Sequence, residues 1–278
     1  MSDFYRTFMK LYLSFFGSGS IRRSGTKWKR KGKNFKIIGK SIDPAVQPTS
    51  FSDFKHLVKK DAKLGVNLYF AYSGPGLCKP IYPHPESGNG HGLPYKDMSL
   101  RRNNKYWEEV DNRIIYANSN GISVVIANTF VDRGVCNKWT LEQLKSDWKK
   151  TVERYRGFSV MFIPLSEYDE HGSIGINTGI ELVNATKTND PVALHPIRTS
   201  IAHIGITDFV CMQGYSRSRI QQALGTGKPA IVAEDQNAND QTVINRFNEA
   251  EALGATYIIT NRNFGFSPTL ENFIKSKR

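Results

Sequence analysis

Residues 160–167 read VMFIPLSE, a short apolar run that closes on a serine and a glutamate. Apolar runs without strict alternation suit strands that are covered on both faces, as the strands of parallel sheets are. Seven similar runs occur along the chain, separated by longer polar or amphipathic stretches, and this rhythm is typical of repeated β-α units. The eight runs are Phe35–Ile38, Val66–Tyr72, Ile122–Asn128, Ser159–Leu165, Val192–His195, Phe209–Gln213, Ala230–Ala233 and Thr256–Thr260.

Helical patterns fill the stretches between these runs. Thr140 is a suitable cap for a helix at Leu141–Tyr155, and a further helix at Asp240–Leu253 precedes the last run. At 278 residues the chain falls within the size range of one eight-stranded α/β barrel. We therefore predict an α/β fold, a single-domain (β/α)8 TIM barrel over 34–278, preceded by an amphipathic and basic N-terminal arm over 1–33.

The start of the arm, Phe4–Phe16, is apolar and aromatic but is interrupted by Arg6 and Lys10. It is too short to span a bilayer and lacks the charge order and cleavage site of a signal peptide. We expect an amphipathic helix that packs on the barrel or on a partner, with membrane contact and an atypical export signal as alternatives. The poor fit to a signal peptide favours an intracellular or viral origin, whereas an export element would place the same protein outside the cell.

Much of the net charge of +13 follows this helix. Such a basic segment is either a solvated surface or a contact with a polyanion, in which case released counterions would make binding depend on salt. No acidic residue interrupts the segment. Its cations are Arg22, Arg23, Lys27, Lys29, Arg30, Lys31, Lys33, Lys36 and Lys40.

The cysteines Cys78, Cys136 and Cys211 have neither paired spacing nor a CxxC motif, so the sequence predicts reduced thiols and no zinc site. The long connection at 73–104 is rich in proline and glycine but lacks the lysine and hydroxyl pattern of a phosphate-binding loop. We expect no metal and no cofactor. Because loops that follow barrel strands build the active-site face, 73–104 is predicted to wall or cover a pocket, with a disordered insertion as the alternative.

Two of the runs end in a glutamate. Glu167 closes the fourth run and Glu234 closes the seventh. Catalytic groups of such barrels lie at the carboxyl ends of strands, and strands four and seven lie across the barrel from each other. Hydrolysis of a glycosidic bond needs two carboxyl groups on opposite sides of the anomeric carbon. These two glutamates are therefore the candidate catalytic pair, with solvated or capping roles as the alternative for each.

Other polar residues near the strand ends are predicted to bind substrate. Two of them, Tyr215 and His195, are candidates to hold the nucleophile and set its ionisation; the alternatives are a packing aromatic and a structural histidine. Sugar rings stack on aromatic faces, and Tyr72, Tyr82, Tyr95 and Tyr168 are candidates for that role or for packing. The predicted substrate-binding residues are Tyr72, Asn128, His195, Gln213, Tyr215 and Asn261.

Six short segments spread over residues 27–265 are Trp107–Asp111, Gly121–Val124, Tyr155–Phe158, Leu194–Pro196, Met212–Tyr215 and Lys228–Glu234. Together they resemble the apiosidase-like barrel family, which is similar to the clan A retaining glycoside hydrolases. That resemblance implies a glycosidase in which Glu167 is the acid/base and Glu234 the nucleophile. Ser166 departs from the asparagine that clan A members usually carry, and Asp169 and Glu170 compete as acid/base.

Three functions fit these patterns. The leading hypothesis is a glycoside hydrolase that cleaves O-glycosidic bonds in a polysaccharide or glycan, with retention and without a cofactor. The second is a catalytically inactive carbohydrate-binding or structural barrel, for example a component of a viral particle. The third is a polyanion-binding protein in which the basic arm acts and the barrel is a scaffold, because a fold alone does not establish a function.

Overall fold

The computed structural model of the protein describes residues 3–17, 19–41, 50–71, 91–92, 95–97, 99–127, 139–169, 172–186, 188–196, 204–233, 238–260 and 265–278. Within these ranges the chain forms ten strands and eight α-helices. The strands are β1 (Ile21–Ser24), β2 (Lys27–Arg30), β3 (Lys33–Asn34), β4 (Gly39–Ser41), β5 (Leu68–Ala71), β6 (Ser123–Ala127), β7 (Val160–Ile163), β8 (Val210–Gln213), β9 (Ala230–Ala233) and β10 (Thr256–Thr260). The helices are α1 (Asp3–Phe16), α2 (Phe51–Leu64), α3 (Asn104–Ser119), α4 (Leu141–Tyr155), α5 (Gly172–Asn184), α6 (Arg217–Leu224), α7 (Asp240–Leu253) and α8 (Pro268–Ser276).

Seven strands form one curled sheet in the order β7-β6-β5-β4-β10-β9-β8, and every neighbouring pair is parallel. The predicted fifth run lies beside β7 through bridges from Phe162 to Val192 and from Ser166 to His195. On its other side, the Asp208 N–H donates to the Val192 carbonyl at 2.7 Å, just before β8. Residues 192–195 thus lie between the two ends of the sheet, and the predicted (β/α)8 fold is confirmed.

The first barrel strand differs from the prediction, because it is β4 and not Phe35–Ile38. The Phe35 N–H donates to the Trp28 carbonyl at 2.9 Å, and the Phe35 ring lies 3.9 Å from the Arg30 guanidinium, so Phe35 belongs with the preceding segment. The apolar pattern missed β4 because Lys40 is at its centre. That lysine is buried and its ammonium binds Asp61 of α2.

Side chains alternate between the two faces of the sheet, as strand geometry requires. Leu68, Phe70, Met161 and Ile163 belong to a cluster that fills the barrel interior, whereas their neighbours pack in a second cluster with the helices. Space inside is limited near Gly39, where an added Cβ would collide with Ile258. The barrel is therefore a packed core and not a pore.

The basic segment at 21–34 is folded as a three-stranded antiparallel sheet, β1-β2-β3. Ile21 and Trp28 are buried with the interior cluster. The Trp28 indole N–H donates to Thr256 Oγ1 at 3.2 Å, and its ring contacts Phe209 edge-on at 5.5 Å. Because Thr256 and Phe209 lie where β10 and β8 begin, this small sheet covers the amino-terminal end of the barrel.

The helix expected near the start of the chain is present as α1. It lies against α3 and α4, where Arg6 pairs with Asp111 at 3.2 Å and Lys10 donates to the Glu153 carbonyl at 3.3 Å. Among the residues that the structure describes, no helix is long and apolar enough to cross a membrane.

Candidate functional site at the carboxyl ends of the strands

The end of the barrel opposite the small sheet, here called the mouth, is formed by the carboxyl ends of the strands. Three polar side chains continue the inward-facing rows there. His195 follows Ala193, Gln213 follows Cys211, and Thr260 follows Ile258, each at the two-residue spacing that keeps a side chain on one face. This is the end of a (β/α)8 barrel at which binding and chemistry take place.

Glu167 is presented at the mouth by an unusual backbone conformation. After β7 the chain pairs once more, at Ser166, with His195, and the Glu167 N–H donates to the His195 carbonyl at 2.5 Å. Its φ of 56° lies in the left-handed region, which costs a residue with a Cβ about 1 kcal/mol or more. The side chain is partly exposed. Neighbouring structure therefore maintains a strained conformation at the residue that the sequence identified as a catalytic candidate.

His195 is fully buried beside this glutamate, with its ring centre 6.0 Å from that of Phe70. Burial lowers the pKa of the imidazole to about 4, although the negative charge of Asp169 acts in the opposite direction. The imidazole is therefore neutral at ordinary pH. It can therefore act on a carboxylate at the mouth as a hydrogen-bonding group but not as a cation. The electrostatic effect of Asp169 on His195 shows that Asp169 also lies near this histidine.

This lowered pKa predicts an acid-sensitive fold. The unfolded chain would protonate His195 near pH 6.5, whereas the folded chain resists protonation down to about pH 4. Between these values the unfolded state binds more protons, so the free energy of unfolding should fall as the pH falls, by at most about 1.4 kcal/mol per pH unit. Urea denaturation across this pH range measures the slope.

The matched variant for this prediction is His195→Gln, which removes the titrating group from the same buried position. Its curve of unfolding free energy against pH should be flatter than that of the wild type between pH 4 and 6.5. Equal slopes in the two proteins would show that other groups cause the acid sensitivity.

Gln213 and Tyr215 diverge at the end of β8. Gln213 faces the mouth, whereas Gly214, with φ of 68°, turns the chain and Tyr215 packs against the helical cluster. The Tyr215 ring lies 5.8 Å from the Arg246 guanidinium of α7. Burial, together with the nearby Glu249 carboxylate, raises the pKa of Tyr215 to about 12. Tyr215 therefore packs on the helical side of β8, and its predicted role at the substrate stays a prediction.

The second candidate carboxylate, Glu234, lies outside the described residues. The backbone just before it is placed, because the Gly214 N–H donates to the Ala233 carbonyl at 2.9 Å, so β9 reaches the mouth beside β8. The role of Glu234 stays a prediction. Also outside the described residues are Tyr72, Tyr82, Asn128, Glu170 and Asn261.

Two of the aromatic candidates for sugar stacking pack inside the protein. Tyr168 is buried in the helical cluster. The Tyr95 hydroxyl donates to Asp147 Oδ2 at 2.5 Å, and its ring contacts Trp107 edge-on. The stacking role of Tyr72 and Tyr82, which lie outside the described residues, stays a prediction.

Sequence reasoning missed Thr260, whose hydroxyl oxygen is buried and has no hydrogen-bond partner among the described residues. Its signal in the sequence is the inward row that it shares with Ile258. A buried hydroxyl without a partner is costly, which makes Thr260 a further polar group that a ligand at the mouth would satisfy.

Comparison with known protein families gives a match over most of the chain. The family model described as "Apiosidase-like, catalytic domain" matches residues 46–257, and the resemblance inferred from the short segments is confirmed. No curated protein sequence matches the chain.

Solved glycoside hydrolases share the fold. A glycoside hydrolase family 5 protein from Bacteroides vulgatus gives a TM-score of 0.69 at 16% identity, over 89% of this chain and 63% of that one. The endo-1,4-beta-mannanase from Rhizomucor miehei gives 0.65 at 12% identity, over 94% and 100% of the two chains. The endoglucanase catalytic domain from Thermobifida fusca gives 0.63 at 10% identity, over 95% and 98%. The present chain thus spans less than two thirds of the length of the Bacteroides protein.

Proposed function

The chain belongs to the family of apiosidase-like catalytic domains, and we propose that it is a glycoside hydrolase that cleaves O-glycosidic bonds in a polysaccharide or glycan with retention of configuration. Glu167 acts as the acid/base and Glu234 as the nucleophile. The observation that carries the proposal is the left-handed backbone of Glu167 beside the neutral, buried His195 at the mouth. Strain of this kind is kept where the position of a side chain matters.

The two strands that precede these glutamates in the sequence are suitably placed for the reaction. In the sequence, Glu167 follows β7 and Glu234 follows β9. The order of the strands places β7 and β9 three positions apart in the eight-stranded barrel. Retaining enzymes need their two carboxyl groups about 5–5.5 Å apart. One protonates the leaving oxygen while the other attacks the anomeric carbon, and the first then deprotonates the water that hydrolyses the ester.

Substrate contacts are proposed at the same end. Gln213 faces the mouth, and the carbonyl of buried His195 accepts the N–H of Glu167. We also propose that Tyr72, Asn128 and Asn261 bind substrate, because in the sequence each directly follows a barrel strand. The structural relatives include a mannanase and an endoglucanase by name, so mannans and glucans are the first polysaccharides to test, beside apiosides.

An inactive carbohydrate-binding or structural barrel is the second candidate. It is favoured by Ser166, which is 1% exposed and therefore offers no side-chain contact to a substrate at the position before the proposed acid/base.

The basic segment at 21–34 supports a contact with a polyanion that is independent of catalysis. The exposed cations of β1–β3 lie at the amino-terminal end of the barrel, so we infer that any polyanion they bind does not enter the mouth.

The experiment that tests the proposal is hydrolysis of aryl glycosides, mannans, glucans and apiosides by the wild type, Glu234→Gln and Glu234→Gly. We expect both variants to be inactive, and azide to rescue Glu234→Gly by forming a glycosyl azide of inverted configuration. NMR of the first product formed by the wild type should show retention. The matched control is Glu181→Gln, which changes a half-exposed carboxylate on α5 and should keep full activity.

Unchanged activity in Glu234→Gln would refute the nucleophile assignment, and an inverted first product would refute retention. A wild type that binds sugars but hydrolyses none of the panel would favour the inactive barrel.

A further inference from the structure

The outer face of α1 carries a row of exposed apolar and aromatic side chains, here called the aromatic stripe. Phe4, Phe8 and Leu11 are 81%, 53% and 59% exposed, and Tyr5 and Tyr12 lie beside them. Their spacing of three, four and seven residues places them on one side of a helix. The rings of Phe8 and Tyr12 stack with their centres 6.4 Å apart. A contiguous apolar surface of this kind marks an interaction site.

The orientation of the stripe is fixed by the opposite face of α1. Leu13 is buried and Met9 packs against the helical cluster. Arg6 shares Asp111 with Arg154, whose guanidinium binds the same carboxylate at 2.7 and 2.8 Å. The Lys10 ammonium lies 5.3 Å from the centre of the Phe158 ring. Since these residues are about half a helical turn away from the stripe, docking of α1 holds the stripe outward.

Cationic residues lie close to the last turn of α1. The last turn of α1 and the turn at Lys31 and Gly32 line one cavity of about 350 Å³, which also contacts Arg22. In β2, Lys27 and Lys29 alternate with inward-facing Trp28 and so point away from the barrel. Lys27, Lys29 and Lys31 form no ion pair within the described part of the chain.

We propose that the aromatic stripe and these lysines together dock the protein on the surface of an anionic phospholipid membrane. The 14 residues of α1 extend only about 21 Å, too little to cross a bilayer, but an amphipathic helix of this length lies in the interface with its apolar side chains among the acyl chains. Aromatic residues are suited to that depth, and each nearby lysine adds attraction to anionic headgroups.

Charge distinguishes a membrane from a second copy of the chain as the occupant. Two copies that paired their stripes would bring two cationic surfaces together, and like charges repel. An anionic lipid surface attracts the same lysines while it buries the same rings.

The test is sedimentation of the full chain with vesicles of phosphatidylcholine alone and of an equimolar mixture of phosphatidylcholine and phosphatidylglycerol. We expect binding to the anionic vesicles, weak binding to the neutral ones, and loss of binding as sodium chloride is raised. The variant Lys27→Gln, Lys29→Gln, Lys31→Gln should lower the partition coefficient about a hundredfold. The stripe variant Phe4→Ser, Phe8→Ser, Leu11→Ser should lower it by at least about as much.

Matched controls alter the same residue types elsewhere. The charge control is Lys59→Gln, Lys105→Gln, Lys149→Gln on three separate helices, and the apolar control is Ile174→Ser, Ile206→Ser, which changes the two large exposed apolar residues outside α1 that the structure describes. Both should bind as the wild type does. Circular dichroism and thermal unfolding establish that every variant is folded.

Equal affinity for the two kinds of vesicle, or no affinity for either, would overturn the proposal. So would a wild type that sediments as a dimer in the ultracentrifuge while the stripe variant is monomeric, since the stripe would then be the interface between two copies. A charge control that loses as much binding as the lysine variant would show that net charge, and not this surface, attracts the lipid.

Discussion

Replacing Glu167 by glutamine is expected to lower kcat by about 10²- to 10⁴-fold on substrates with poor leaving groups, because proton transfer by a positioned side chain contributes that much. Substrates with dinitrophenolate as leaving group need no protonation, so their first step should be affected far less. The measurement is a comparison of kcat and kcat/KM across aryl glycosides of graded leaving-group pKa. The pH profile should also lose the limb that reports the acid.

The competing assignment is tested by Asp169→Asn, since Asp169 lies close enough to act on His195 electrostatically. If Asp169→Asn shows the leaving-group dependence and Glu167→Gln does not, the acid/base is Asp169. Glu181→Gln on α5 again serves as the unaffected control.

The backbone at Glu167 allows activity and stability to be separated. Glycine adopts a φ of 56° without steric cost, although it adds flexibility to the unfolded chain. Glu167→Gly should therefore be as stable as the wild type, within about 1 kcal/mol, yet as inactive as Glu167→Gln. A large loss of stability in Glu167→Gly would indicate that the carboxylate is kept for its structural contacts.

The sequence predicted the barrel because its strands are apolar on both faces, and this signal depends little on tertiary detail. It failed at β4, where Lys40 is buried by an ion pair with Asp61 that no local pattern reveals. It also missed the small sheet, although Trp28 between Lys27 and Lys29 has the alternation of a half-buried strand. At both places, lysines interrupt the apolar run by which a strand is recognised in a sequence.

The mouth was predictable as a set of strand ends, but the direction of each side chain was not. Tyr215 turns toward the helices because Gly214 has a positive φ, which becomes visible only when the backbone is known. The neutral state of His195 likewise depends on burial beside Phe70 and not on any neighbour in the sequence. Periodicity identifies where chemistry is located, whereas turns and burial decide which groups take part.

The buried ion pair between Lys40 and Asp61 is expected to contribute strongly to the free energy of unfolding. The Lys40 ammonium lies 2.9 and 3.1 Å from the two Asp61 oxygens, both side chains are 1% exposed, and the Tyr69 hydroxyl donates to the same carboxylate at 2.8 Å. Burial lowers the pKa of Lys40 and raises the pKa of Asp61, and the attraction between them opposes both shifts. Each charge is therefore stabilised mainly by the other.

Lys40→Met should lower the free energy of unfolding by about 3–5 kcal/mol, because it leaves the Asp61 carboxylate buried without its cation. The double variant Lys40→Met, Asp61→Asn should recover most of this loss, since no buried charge remains and the amide oxygen still accepts from Tyr69. Urea denaturation measures both. Lys60→Met, which breaks the exposed pair with Glu271, is the control and should cost under about 1 kcal/mol.

The pH dependence of Lys40→Met gives an independent test. Without Lys40 the pKa of buried Asp61 rises further above its unfolded value, so the folded state binds a proton that the unfolded state releases. The destabilisation should then shrink as the pH is lowered from 7 toward about 4, the reverse of the trend expected from His195. A loss that is independent of pH would mean that packing around Lys40 and Phe266, and not an unpaired carboxylate, is what the substitution removes.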